Sequence, residues 1–385
     1  MTTNRLYLDH NAGAPVLDVA LAAATDAARV GGNASSVHFE GRVARARVEE
    51  ARRAVARLAG AAAASVTFTS GASEANVTAL SPLMREGARE IRLDRLLIGA
   101  TEHPSVLAGG RFAADRVETI AVDGDGVVRL DRLEARLAAL TAAGERALVS
   151  VQLANSETGV IQPIAEVVRI ARAQGAVIHC DAVQGAGRIR LDDPALDVDM
   201  MSLSAHKIGG LPGCGALISR NPEIVPAPLL VGGGQESRRR AGTQNVPGIA
   251  AFGAAATVGG ERLREIADLA TRRDWLEGEL RSISSNVKVL GTGAPRLANT
   301  IMVAIRGASA ETAVIAFDLE GVAISAGSAC SSGKVGASHV VEAMGVEADF
   351  ARGAIRLSFG LDTSVSDLER VVAVARRVIG RLARS

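Results

Sequence analysis

Among the 43 lysine and arginine residues of this chain, only Lys207, Lys288 and Lys334 are lysines. Arginine serves almost everywhere a cation will do, so Lys207 is a candidate for work that arginine cannot perform. It closes Ser204-Ala205-His206-Lys207, directly after the apolar run Met200-Met201-Ser202-Leu203. A guanidinium stays protonated and is no useful amine nucleophile, whereas a desolvated lysine can lose its proton and form a Schiff base with an aldehyde cofactor or a carbonyl substrate. The plainer alternative is a surface lysine retained by chance. Cys330 lies in Ala326-Gly327-Ser328-Ala329-Cys330-Ser331-Ser332-Gly333, where small residues offer a thiol nothing to pack against, which favours a reactive thiol; Cys180 and Cys214 read as small buried hydrophobes. Asp181 is either a helix N-cap or a buried carboxylate paired with a protonated ring nitrogen. Arg356, in Ile355-Arg356-Leu357-Ser358-Phe359, is either a solvent-edge residue or a bidentate clamp for a carboxylate.

These side chains need strands to aim them. Apolar runs at 65–69, 96–100, 147–151 and 176–180 read as strands, and each empties into polar residues: Ser70-Gly71-Ala72-Ser73, Thr101-Glu102-His103, Asn155-Ser156-Glu157 and Asp181-Ala182-Val183-Gln184. Helical spacing fills 43–58, 164–173 and 250–260, and 261–282 reads as a long helix carrying Trp275. Strands alternating with helices predict a mainly parallel sheet whose polar strand ends gather along one edge, where such sheets bind ligands. The turn Ser70-Gly71-Ala72-Ser73 leads from strand to helix, an outline that suits a phosphate and equally an ordinary connection. Past 282 the pattern gives strands at 299–305, 322–325 and 355–359 and a helix at 311–319.

A chain of 385 residues, 48% of them hydrophobic, can fill two cores, with boundaries expected at 1–15 for an N-terminal segment associated with the smaller domain, 16–257 for the large domain and 258–385 for the small one. A formal net charge of +1 removes the attraction expected of a nucleic-acid or anionic-membrane binder. Arg238-Arg239-Arg240, the one basic cluster, reads as a solvated loop. No apolar run reaches the ~20 residues that span a bilayer and no signal-peptide core follows Met1, so the expectation is a cytoplasmic protein. Three cysteines, odd in number and far apart, suit neither a zinc ribbon nor a disulfide framework.

Taken in order, Leu8-Asp9-His10-Asn11-Ala12, Gly32-Asn33-Ala34-Ser35-Ser36-Val37-His38, Phe68-Thr69-Ser70-Gly71-Ala72-Ser73-Glu74, Thr101-Glu102-His103, Asp181-Ala182-Val183-Gln184, Ser204-Ala205-His206-Lys207, Ala241-Gly242-Thr243, Gly327-Ser328-Ala329-Cys330 and Ile355-Arg356 resemble the cysteine desulfurases. These are class V, fold-type I pyridoxal phosphate enzymes, and the short cysteine loop is most similar to the iron-sulfur-cluster and nitrogen-fixation branch. The resemblance implies an α/β fold: a mainly parallel large-domain sheet with helices on both faces, plus a smaller α+β C-terminal domain. It implies that Lys207 holds the cofactor covalently, that Asp181 meets the pyridine nitrogen, that Gln184 lies near the ring hydroxyl and that His103 stacks on the ring. Ala72, Ser73, Ser204 and His206 would hold the phosphate, with Thr243 supplied by the other subunit of a homodimer. Arg356 would take the substrate carboxylate. Asn155 rather than Ser156 is expected to touch the ring and the substrate, although many members carry a second asparagine where Ser156 stands. Lys207, His103 and Cys330 form the catalytic set. The implied reaction turns L-cysteine into L-alanine and leaves a Cys330 persulfide for a sulfur-acceptor or iron-sulfur scaffold protein. No resident metal is implied, Cys330 being at most a transient iron-sulfur ligand. Leu211-Pro212 replaces the usual lysine-containing turn, and the chain stops soon after Arg381, short of the tail with which housekeeping members dock their scaffold. The cofactor residues alone would also suit a class V aminotransferase or a selenocysteine lyase, and a non-catalytic sulfur-relay protein is the alternative outside enzymes.

Overall fold

The computed structural model describes residues 5–327 and 338–382, so Cys330 and Lys334 lie outside the described residues. Seven strands form the central sheet: β1 (Val66–Thr69), β2 (Arg95–Gly99), β3 (Val117–Ile120), β4 (Ala147–Ser150), β5 (Val177–Asp181), β6 (Met200–Ser204) and β7 (Gly215–Ser219). Their spatial order is β1-β7-β6-β5-β4-β2-β3, with β7 antiparallel to both its neighbours and every other pair parallel. Because β7 runs against both β1 and β6, those two share a direction. The C-terminal ends of β1, β2, β4, β5 and β6 therefore meet at one edge, as the polar strand ends predict.

The strands read as continuous apolar runs because helices cover both faces. On one face Leu97, Val149, Ile178, Met201 and Leu203 pack with Val48 and Val55 of helix Phe39–Leu58, Phe252 of helix Val246–Glu261, and Val167 and Ile170 of helix Ile164–Ala173. On the other, Leu96, Ile98, Leu148, Val177 and Met200 pack with Ala75 and Ala79 of helix Ala72–Ala79 and with Val106 of the short helix Pro104–Leu107.

A second core forms around an antiparallel sheet of β8 (Val287–Val289), β9 (Thr300–Ile305), β10 (Ser325–Ala326) and β11 (Ala354–Ser358), in the order β8-β9-β11-β10. Helices Ile266–Ser282, Ala310–Leu319 and Val365–Leu382 supply Leu276, Leu280, Phe317, Val371 and Ile379 to it. Leu8 is buried in the same core, since Leu6–Tyr7 pairs in parallel with Val322–Ala323 and Asp9 bridges to Ser358.

Three details differ from the sequence pattern. The expected strand at 322–325 divides at Ile324, Val322–Ala323 pairing with the N-terminal segment and Ser325 beginning β10, which pairs with β11. The long helix starts at Ile266, separated from Val246–Glu261 by a 3-10 turn at Arg262–Arg264. A small three-stranded sheet of Leu83–Glu86, Arg89–Arg92 and Ile224–Pro226 joins segments whose pairing no local pattern announces. Among the described residues no helix is long and apolar enough to cross a membrane.

Candidate active site

The shared edge of the large sheet opens into a cavity of about 460 Å³. Lys207, His103, Asp181, Gln184, Ala72, Ser73, Ser204 and His206 line it, and Arg356 of β11 reaches it from the other core. Ser156 lines it as well; Asn155 does not.

One end of the cavity is built to receive an anion. Helix Ala72–Ala79 begins at Gly71, whose position carries no side-chain cap, and the first-turn N–H groups of any helix lack intrahelical acceptors. Gly215 of β7 passes so close that a Cβ there would stand 2.5 Å from the Gly71 carbonyl carbon, so only glycine lets strand and turn approach in this way. Ser204 Oγ lies 2.9 Å from His206 Nδ1, and burial together with the Lys207 charge pushes His206 down to about 4, leaving a neutral imidazole. The turn is braced from outside: Arg240 donates to Glu74 at 2.9 Å, and Glu74 in turn accepts from the Ser70 N–H at 2.8 Å.

Asp181 ends β5 with both oxygens engaged, Oδ1 accepting from Val183 N at 3.0 Å and Oδ2 from Asn76 Nδ2 at 2.8 Å. His103 caps helix Pro104–Leu107 by accepting from Ser105 N at 3.1 Å, and burial lowers its proton affinity against the opposing pull of Asp181. Lys207 Nζ donates to the carbonyls of Asn11 at 2.5 Å and Ala12 at 2.8 Å, which ties the N-terminal segment to the site. Gln184 is fixed at both ends: Nε2 donates to Asn11 O at 3.1 Å, while Oε1 accepts from Arg188 at 2.7 Å.

Arg356 is 2% exposed, which disposes of the solvent-edge alternative. It donates to Asp9 Oδ1 at 2.5 Å and to Ser156 O at 2.9 Å, while its Nε is buried with no partner. A buried unpaired donor on a cation is costly, and a carboxylate in the cavity would satisfy it. The donor set thus fits a compound carrying a phosphate, an aldehyde and a basic ring nitrogen: cradle, amine and carboxylate stand in one cavity, and Arg356, though paired with Asp9, keeps one N–H donor for a second acid group.

Two expectations shift. Asn155 is turned into its own loop, Nδ2 donating to Thr101 O at 3.0 Å and Oδ1 accepting from Glu157 N and Thr158 N, both at 2.9 Å, so the side chain that faces the cavity is its neighbour Ser156. Arg238-Arg239-Arg240 is more than a solvated loop. Glu236 beside it is buried, bonded twice to Arg52 at 2.6 and 2.9 Å and once to Phe68 N at 2.9 Å, and residues 236–238 are held at positive φ of 48°, 55° and 65°. Thr243 is exposed and outside the cavity. Both described cysteines are poor nucleophiles: burial drives the Cys180 thiol well above its usual range and Cys214 up to about 12. Sequence reasoning missed Asn76, which lines the cavity four residues beyond Ala72, one helical turn along the same face; that spacing was the available signal.

Residues 6–371 match the aminotransferase class-V family. A cysteine desulfurase of Rhodobacter capsulatus is 39% identical, over 99% of this chain and 98% of its own length. An IscS-like cysteine desulfurase of Mycobacterium tuberculosis is 37% identical, over 98% of this chain and 97% of its own. Among solved structures, a NifS-like protein from Rickettsia africae superposes with a TM-score of 0.86 at 32% identity, covering 97% of this chain and 99% of that one. SspA, solved in complex with cysteine, gives 0.72 at 25% identity over 92% of this chain and 99% of its own.

Proposed function

The chain belongs to the aminotransferase class-V family, with the cysteine desulfurases, and we propose that it converts L-cysteine to L-alanine while moving the sulfur onto Cys330 as a persulfide. The reaction balances without an external oxidant: the substrate C–S bond breaks, an S–S bond forms on Cys330, the carbon is reduced to a methyl group as the sulfur is oxidised, and the two thiols' protons are conserved between product and persulfide. Pyridoxal phosphate, when bound, supplies the aldehyde that takes up amines and the ring that draws electrons from the substrate Cα. Lys207 would hold that group covalently and, once freed, its amine would move the Cα proton. Asp181 would keep the ring nitrogen protonated, Ala72, Ser73, Ser204 and His206 would hold the phosphate, His103 and Gln184 would contact the ring, and Arg356 would bind the carboxylate of cysteine. Thr243, on an exposed stretch, belongs to this account as a phosphate contact offered across a homodimer. The persulfide is then passed to an acceptor protein, such as an iron-sulfur scaffold, in the cytoplasm.

The observation that carries the reading is the meeting of an amine, a carboxylate and a buried guanidinium whose Nε alone lacks a partner, all lining one cavity, in a chain whose two described thiols are both poorly ionisable. Incubation with pyridoxal phosphate, L-cysteine and a reductant should release alanine and sulfide in equal amounts. Formation of a keto acid in place of alanine would replace this reading with transamination.

A further inference from the structure

Asn76 is 1% exposed, yet its Oδ1 is buried without a partner. Leaving an acceptor unsatisfied costs stability, so the residue is there for its donors. Nδ2 bridges two groups from different elements, Asp181 Oδ2 at the end of β5 at 2.8 Å and Ser105 Oγ in helix Pro104–Leu107 at 2.9 Å. The amide can point only one way, since Oδ1 facing the Asp181 carboxylate would set acceptor against acceptor. Ser105 Oγ, having accepted from Asn76, has one hydrogen to give, and His103 Nδ1 stands 2.8 Å away. Nδ1 also accepts from Ser105 N at 3.1 Å, so the hydrogen of the neutral ring lies on Nε2.

We infer that Asn76 is a positioning residue for the reaction: one amide, on the helix whose first turn faces the anion cradle, fixes both Asp181 and, through Ser105, His103. The inference rests on reading the cavity as a pyridoxal phosphate site. It makes the two groups that flank the ring mechanically and electrostatically dependent on one side chain, so disturbing Asn76 disturbs both together.

The test compares wild type, Asn76→Ala, Ser105→Ala and the double variant by equilibrium titration with pyridoxal phosphate, alongside nitrogen-15 NMR of the His103 ring. Asn76→Ala should weaken cofactor binding by about tenfold to a hundredfold, the loss of a hydrogen bond to a charged group at about 1.4 kcal/mol per tenfold. Ser105→Ala should weaken it less, and adding it to Asn76→Ala should change little, because the relay is already broken. The His103 Nδ1 signal, hydrogen-bonded in wild type, should move towards that of free imidazole in both single variants. If Asn76→Ala fails to fold, Asn76→Ser, whose hydroxyl can serve only one partner, is held to the same criterion. Wild-type affinity with an unmoved His103 signal in the Asn76 variant overturns the inference alone, whereas a wild-type protein that takes up no pyridoxal phosphate overturns the reading beneath it.

Discussion

Asp181 and Arg356 are both charged side chains on buried strands that face one cavity, yet they are held in different ways. Asp181 is secured within the large sheet's own layers, by the next turn of backbone and by a helix packed on the same sheet. Arg356 is secured by Asp9, 347 residues away in sequence, and by the Ser156 carbonyl in the loop after β4 of the large sheet. One wall is therefore set by a single core, while the other exists only when the N-terminal segment, the large sheet and the second core are assembled together. Damage to the first wall should appear in cofactor retention, and damage to the second in substrate affinity with the cofactor intact.

The largest effect belongs to the first wall. Lys207→Arg keeps a cation between the Asn11 and Ala12 carbonyls but offers no amine for covalent capture, so turnover and cofactor-derived visible absorbance should both vanish while the fold persists. Reduction and peptide mapping of wild type should find the cofactor on Lys207; finding it on Lys288 or Lys334 would break the contrast at its root.

Arg356→Ala comes next. It should weaken apparent affinity for cysteine by roughly 2–5 kcal/mol, the range for removing one member of a buried charge pair, without altering the cofactor spectrum. Asp9, left without its cation, adds a separate cost to folding stability. An unchanged affinity for cysteine, or a lost cofactor, would show that the two walls are not separable.

Glu157 sharpens the second wall through pH. It is buried, accepts from Ser338 Oγ at 2.5 Å, and stands so near Gly327 that a Cβ there would lie 2.9 Å from its Oε2. Burial raises it from 4.5 to about 7, against the lowering pull of Arg356. The folded state thus binds a proton more tightly than the unfolded chain, so this contribution is full below about pH 4.5 and is lost as pH rises through about 7. Its size is at most ~3 kcal/mol. Denaturant unfolding of wild type and Glu157→Gln at pH 5 and pH 8 should show the wild type losing more stability over that interval; equal losses would remove Glu157 from the account.

The smallest effect is that of Cys180→Ala and Cys214→Ala, each expected to cost ~1 kcal/mol of stability and no turnover.

Much of the first wall was legible because its logic is local. Each apolar run that ends in polar residues is a strand delivering side chains to one edge, and the edge follows from the parallel order. The second wall was less so. Arg356 could be seen to break an alternating pattern, but its pairing with Asp9 joins opposite ends of the chain. Asn155 illustrates a finer limit: in a turn, a shift of one residue decides which side chain faces the cavity. Asn-Ser-Glu-Thr-Gly has the composition of a turn in which asparagine bonds the backbone two and three residues on, and that competing use captured it. Residues 236–238 gave no warning at all, since three successive left-handed non-glycine residues persist only where surrounding contacts, here the Arg52–Glu236 pair, hold them.

The central claim is that this cavity frees sulfur from cysteine for Cys330 to receive. It is tested most directly by treating wild-type and Cys330→Ser protein with L-cysteine, trapping thiols and persulfides by alkylation, and mapping the peptides while alanine is counted. The account predicts one added sulfur atom on Cys330 in wild type, none on Cys180 or Cys214, and almost no alanine from Cys330→Ser despite an unchanged cofactor spectrum before substrate is added. Normal alanine production by Cys330→Ser, or an added sulfur found on Cys180 or Cys214 instead, would contradict it.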